Sequence, residues 1–377
     1  MRSFIVCLLL AGCAQAPVLP PASDLFRDAL FGAPSQRIDA EEIFALSEPM
    51  QRYVDDELAV QRRSKGVHLA LVDAITQGQL RLKYDSVMTR TAAQAFEARS
   101  GNCLSLAIIT AAFAKALNMN VYFNVADGDL WGRASDLYFL NAHVNVSLAR
   151  RMSETRNRYD VATLMTIDFL PGSEITGLRT REIDERTIVA MFMNNRAVEA
   201  LVDGRLDDGY WSAREGVRQD AAFMPAYNTL GVIYLRRDEP ALAEQVFNRV
   251  RSREPGNTRM LANLVVALGR LGRPAEAALV EGELTRIERH APFYFFQRGL
   301  AAVEAGDYVA ARALFQRELD RSPDYHEFHF WLGLVELKLG NVERAREQVA
   351  AALENSTTRH DHDLYAAKLQ RLAALRR

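Results

Sequence analysis

Cysteine is nearly absent from this chain, with three in 377 residues, at positions 7, 13 and 103. Two of them fall in the opening apolar stretch, so the body of the chain holds one thiol and cannot build a disulfide framework. Charge of one sign is lacking as well. Forty-six basic side chains stand against forty-eight acidic ones, for a net charge of -2. With no basic stripe, recognition of a phosphate backbone is excluded and no nucleic-acid partner is expected. No apolar run reaches the roughly 20 residues that span a bilayer. The remainder, 49% hydrophobic and 25% charged, is the balance of a globular chain with room for two or three cores.

The opening MRSFIVCLLLAGCAQAP has one basic residue, a short hydrophobic region and small residues before Cys13, the pattern of an export signal. The stretch LLAGC resembles the lipobox of bacterial lipoproteins. That resemblance implies a signal peptide over 1–12 and lipidation of Cys13. With Ala14 next, it also implies a lipid anchor in the outer membrane of a Gram-negative cell, facing the periplasm. The alternative is a plain secretory signal ending near AQA. Residues 13–40 include the Pro-rich AQAPVLPPASD and read as an extended tether. Beyond it DAEEIFAL, PMQRYVDDELAV and GVHLALVDAITQG carry helical periodicity, with Asp39 and Glu42 spaced as a capping pair.

The second half has an internal period of 34 residues. Gly231, Gly299 and Gly333 fall on it, as do Ala243, Ala277, Ala311 and Ala345, and Gly204, Gly272, Gly306 and Gly340. This is the period of tetratricopeptide repeats, paired antiparallel helices stacked into a solenoid. About five units are expected over 187–354, with 355–377 as a capping helix. The small residues at fixed offsets predict close approach of paired helices, and Pro255 and Pro323 end their units. Tyr227, Tyr234, Phe247, Phe295, Phe315 and Phe330 read as repeat core. The concave face of such an array suits a protein or peptide ligand. His326 and His329 lack a carboxylate or cysteine at ligand spacing, so no metal is expected there. The oligomeric state is not legible.

Cys103 is either a nucleophile or one more buried small residue. The segment CLSLAIITAAFAKALN is apolar on every side and predicts a buried helix. Gly101 and Asn102 place Cys103 in its first turn, where unpaired amides and the helix dipole favour a thiolate. A nucleophilic thiol needs an imidazole and a group to orient it. Before the repeats only His68 and His143 are present. His68 lies on a helical segment and reads as structural. His143 lies in FLNAHVNVSL, where Leu140, Ala142, Val144, Val146 and Leu148 alternate with Asn141, His143, Asn145 and Ser147, the period of a strand with one polar face. The orienting carboxylate is Asp168, at the end of the strand-like ATLMTIDFLPG, or Asp160, in a charged, loop-like stretch.

Cys103 in RSGNC, His143 in NAHVNV and Asp168 in TIDFLP, in the order Cys, His, Asp, resemble the transglutaminase-like fold of papain-type cysteine enzymes. The upstream MTRTAAQAFEARSGNC is similar to that family's helix and approach loop. The resemblance covers roughly residues 45 to 175. It implies an α+β transglutaminase-like domain over 41–178, with a helix-start cysteine and a small antiparallel sheet, ahead of the all-α solenoid. It further implies that Cys103 attacks a carbonyl carbon, His143 moves the proton and Asp168 orients the ring. The Cys103 amide and an upstream side chain would meet the oxyanion, and no cofactor is involved. Asn102 where the family often has Asp, Val144 and Asn145 where it has an aromatic, and Phe169 where it has proline depart from the pattern and leave the substrate class open. The expectation is an amide hydrolase or acyl transferase, with a non-enzymatic repeat scaffold carrying a degenerate domain as its competitor.

Overall fold

The computed structural model describes residues 22–37, 39–78, 80–85, 88–127, 130–134, 137–141, 143–149, 165–169, 179–287, 290, 293–356 and 359–374. The signal-like stretch, Cys13, the proline run 17–21 and Asp160 lie outside them. No helix among the described residues is long and apolar enough to cross a membrane.

The first unit begins with helices α1 (Glu48–Tyr53), α2 (Ala59–Lys65) and α3 (Val67–Thr76), the first two joined through one wide turn over Val54–Leu58. DAEEIFAL forms only a single tight turn, Glu41–Ile43, and Asp39 accepts from the Glu41 amide at 2.9 Å rather than pairing with Glu42. A short parallel pair, β1 (Lys83–Tyr84) with β2 (Ser100–Gly101), brackets α4 (Ala92–Ala98), and α5 (Cys103–Ala116) follows directly. Four antiparallel strands in the order β7-β6-β3-β8 form the sheet: β3 (Asn120–Asp127), β6 (Val144–Ala149), β7 (Met165–Ile167) and β8 (Arg179–Ile183). A separate hairpin, β4 (Leu130–Ala134) with β5 (Leu137–Asn141), lies between β3 and β6 in sequence. The predicted single strand through FLNAHVNVSL is therefore broken, with His143 at the break. Val144, Val146 and Leu148 join the apolar cluster of α5, as the alternation implies. The opposite face is not solvated: Asn145 and Ser147 are buried too.

Five helix pairs follow: α6 (Glu185–Val202) with α7 (Leu206–Gln219), α8 (Met224–Arg236) with α9 (Pro240–Arg251), α10 (Thr258–Arg270) with α11 (Pro274–Ile287), α12 (Tyr294–Glu304) with α13 (Tyr308–Leu319), and α14 (His326–Lys338) with α15 (Val342–Glu354). Helix α16 (Arg359–Ala374) closes the stack, burying Tyr365 and Leu372 against the last pair. The periodic glycines do two different jobs. A Cβ on Gly231 would lie 2.3 Å from the Phe247 ring, and one on Gly299 would lie 2.4 Å from Phe315, so each makes a seat for a ring rather than for a neighbouring backbone. Gly204, Gly272, Gly306 and Gly340 instead close the turn between paired helices at φ of 71° to 84°, with open space around them. In the second pair Asp238, at φ 63°, takes that place, a residue type that tolerates the left-handed region. Helices α9 and α13 end ahead of Pro255 and Pro323, which sit in the turns beyond.

Two features depart from the expected layout. Helix α6 is shared: Ile188, Val189, Met191, Phe192 and Met193 pack into the core of α5 and the sheet, while Ala197 and Leu201 pack into the repeat core. The two halves thus meet through a common helix. The tether is likewise docked over 22–37. Phe31 stacks parallel on Tyr210 at 3.8 Å, and Leu25 is buried beside it. The Tyr210 hydroxyl donates to Asp28 at 2.6 Å, Tyr234 donates to the Leu25 carbonyl at 2.6 Å, and Trp211 donates to the Gly32 carbonyl at 2.6 Å. Burial of Tyr210 raises its hydroxyl above the ordinary tyrosine range. An extended, solvated chain would leave these aromatic surfaces in water, and their burial favours the docked strap.

Candidate active site

Cys103 is the first residue of α5. The preceding Asn102 has extended backbone angles (φ -71°, ψ 172°), and its side chain accepts from the Ser105 amide at 2.9 Å, a helix N-cap. Gly101 is required here, because a Cβ would come 2.6 Å from Cβ of Ser105. Capping, the glycine approach and the apolar helix body together set the thiol at the helix start, 7% exposed.

His143 is held by its backbone, whose carbonyl accepts from the Ala126 amide at 2.9 Å in continuation of the β3–β6 ladder. Its ring is 1% exposed. Nε2 lies 2.7 Å from Oδ2 of Asp168, the residue directly after β7. With Nε2 engaged, Nδ1 is the nitrogen left for the thiol. It is buried and makes no hydrogen bond of ordinary geometry, and Cys103 acts on the ring all the same. In ligand-free sites such contacts are commonly long or poorly aligned. Burial disfavours the charged imidazole. The hydrogen bond to Asp168 and the interaction with Cys103, with the charges of both, outweigh it and raise the ring from 6.5 to about 9.

That shift has a consequence for stability. A ring that binds its proton more tightly when folded stabilises the fold fully below about 6.5, the unfolded value, and this contribution disappears as pH rises through about 9. Chemical denaturation across this window should show stability falling towards alkaline pH. In Asp168→Asn the fall should be markedly smaller.

The carboxylate is itself positioned. Asn145 donates to Oδ2 of Asp168 at 3.1 Å. Asn124 donates to Asn145 at 3.0 Å and to Ser147 at 2.9 Å, and Ser147 meets Thr166 at 2.8 Å. This web crosses three strands and satisfies the buried polar face of β6. Sequence reasoning treated Asn145 and Ser147 only as polar neighbours of the histidine, and it missed Asn124 and Thr166. The signal available was the alternation itself, read without knowing that the polar face is covered.

Three further histidines lie away from this site. His68 lies on α3. His326 contacts the Tyr365 hydroxyl at 2.9 Å, and His329 meets Gln348 at 2.7 Å and the Pro323 carbonyl at 2.6 Å, so both serve the end of the helical stack. No cluster of metal-ligating side chains occurs among the described residues. Tyr227, Tyr234, Phe247, Phe295 and Phe315 are buried, and Phe330 packs against the terminal cluster.

A small antiparallel sheet and a helix-start cysteine, fused through a shared helix to paired helices of fixed period, define a repeat protein whose first unit holds an imidazole bound to a carboxylate and interacting with a thiol. Residues 228–287 and 296–359 match the tetratricopeptide repeat family, and the helical half carries these repeats. The chain is 28% identical over 135 residues to the cellulose synthase operon protein C of Pseudomonas fluorescens (strain SBW25), covering 34% of this chain and 10% of that one. It is 26% identical over 137 residues to the protein FlbA of Caulobacter vibrioides, covering 36% of this chain and 23% of that one. The match thus spans less than a quarter of either relative's own length. Similar solved structures include a thermophilic tetratricopeptide protein of Thermus thermophilus, at 21% identity and a TM-score of 0.30, over 48% of this chain and 99% of that one. YrrB, a tetratricopeptide protein with an unusual peptide-binding site, is 19% identical with a TM-score of 0.26, over 48% of this chain and 92% of that one.

Proposed function

We propose that the chain is a repeat-bearing binding protein whose first unit is a papain-type, transglutaminase-like thiol enzyme, acting on an amide bond of a protein or peptide held by the repeats. The observation that supports this most is the 2.7 Å contact of His143 with Asp168, on a ring that also interacts with Cys103. In this reading the Cys103 thiol gives its proton to His143 and its sulfur attacks the carbonyl carbon. The first-turn amides of α5, beginning with that of Cys103, meet the oxyanion. The amine leaves with the proton from His143, and a thioester remains on the sulfur. Water then releases the acid, or an amine takes the acyl group. Asp168 holds the ring so that Nδ1 faces the thiol.

A second reading is a non-enzymatic scaffold with a degenerate first unit. It is favoured by the match of residues 228–287 and 296–359 to the tetratricopeptide repeat family and by the small exposure of Cys103. Hydrolysis of an unfolded casein by the full chain and by Cys103→Ala separates the two. Cleavage lost in the variant supports the enzyme, and equal absence of cleavage and of thiol acylation in the parent chain supports the scaffold.

The lipobox-like LLAGC supports anchoring through Cys13 to the outer membrane. The stretch from Cys13 to the docked Ala22 reaches at most about 30 Å, so an anchored chain keeps its first two repeats close to the bilayer. Incorporation of labelled palmitate, lost in Cys13→Ser, is the expected result.

A further inference from the structure

The helix that carries Cys103 is capped with help from the repeats. Asn102 accepts from the Ser105 amide at 2.9 Å and from the Ser105 hydroxyl at 2.8 Å, and its Nδ2 donates to Oγ1 of Thr89 at 2.8 Å. Thr89 is 1% exposed. The same Oγ1 accepts a second hydrogen bond, from Nδ2 of Asn195 at 3.2 Å. Its hydroxyl hydrogen goes to the Glu199 carboxylate, which also accepts from the Thr89 amide at 2.7 Å. A hydroxyl has one hydrogen and two lone pairs, so all three capacities of Thr89 are in use. The adjoining Arg90 amide donates to the Ser105 hydroxyl at 2.8 Å, closing the ring of contacts.

Asn195 and Glu199 lie four residues apart on one face of α6, which is both the first repeat helix and part of the core beneath the sheet. The neighbouring Asn194 accepts from the Thr229 hydroxyl of α8 at 2.7 Å, so the same helix is tied onward to the second pair. Burial lifts the Glu199 carboxyl above its ordinary range despite hydrogen bonds from Thr89 and Arg196. The carboxylate is thus built into the interface at a cost, and Thr89 is its partner there.

The geometry points to Thr89 as a positioning residue that locks the first turn of the Cys103 helix to α6, so that thiol reactivity depends on repeat side chains distant in sequence. This rests on the thiol-enzyme reading. Cys103 sits beside the first-turn amides of α5, and those amides hold their direction only while Asn102 keeps its cap. Loss of the Thr89 hydroxyl removes a hydrogen-bond partner from Asn102 Nδ2, Asn195 Nδ2 and Glu199 at once, and the cap is then free to turn.

The test is alkylation of Cys103 by iodoacetamide in the full chain, with thermal melting as the check on folding. Thr89→Val, equal in shape, should slow alkylation at neutral pH roughly two- to fivefold, Asn195→Ala should slow it in the same direction, and Thr89→Ser should restore the parent rate. A folded Thr89→Val alkylated at the parent rate, while His143→Ala is slowed, overturns this inference alone. If Thr89→Val does not fold, the Asn195→Ala rate decides by the same criterion. A parent thiol no faster than a free cysteine overturns the enzyme reading, and this inference with it.

Discussion

Replacing His143 by alanine slows alkylation of Cys103 at pH 7 by about ten- to thirtyfold, because an unassisted thiol is only a few per cent thiolate there. The expectation follows from the ring's position. The imidazole is 1% exposed and bound to Asp168 through Nε2, and the same ring interacts with Cys103. Removing Asp168 should cost less than removing the ring, since Asn145 and the web behind it still shape the pocket. Iodoacetamide kinetics with mass analysis of the Cys103 peptide measure the rate. A thermal melt of each variant separates loss of the base from loss of fold. An unaltered rate in a folded His143→Ala chain would mean that the two side chains are neighbours without chemical cooperation.

The largest expected effect on stability lies in the repeats. Phe247→Ala should destabilise the chain by about 3–5 kcal/mol, because the ring is fully buried and sits on the bare Cα of Gly231. Gly231→Ala pushes a methyl against that ring and should cost about 1–3 kcal/mol. The double variant should cost clearly less than the two together, since the new methyl occupies space the ring has left. Urea denaturation of the four chains gives the coupling. Strict additivity would show that glycine and ring are not a matched pair and that the repeat geometry has another source.

The period of 34 was legible because each unit must reproduce one contact geometry, and Gly231 with Phe247 and Gly299 with Phe315 are two copies of it. The turn glycines were legible as a series but not in their role, which is left-handed backbone and not close packing. Their second member was hidden because Asp238 reaches the same φ. Around Cys103 the local pattern of Gly101, Asn102 and an apolar helix was readable, since capping is set within a few residues. Contacts across long separations were not. Asn124 reaches Asn145, Thr89 reaches Asn195 and Glu199, and Phe31 reaches Tyr210 only once the chain is folded. The docked strap was misread because proline near residue 20 dominates the local impression, whereas Phe31 is claimed by aromatic surface some 180 residues away. Helix α6 likewise shows one amphipathic pattern that serves two cores, which periodicity alone does not distinguish.

The central claim is that Cys103 is a nucleophile and His143 its base. Incubation of the full chain with p-nitrophenyl acetate, followed by intact-mass and peptide-mass measurement, tests it most directly. The account predicts one acetyl group, on Cys103, formed in a burst and absent from Cys103→Ala and His143→Ala. Acetylation spread over surface lysines, with Cys103 unmodified, would contradict it.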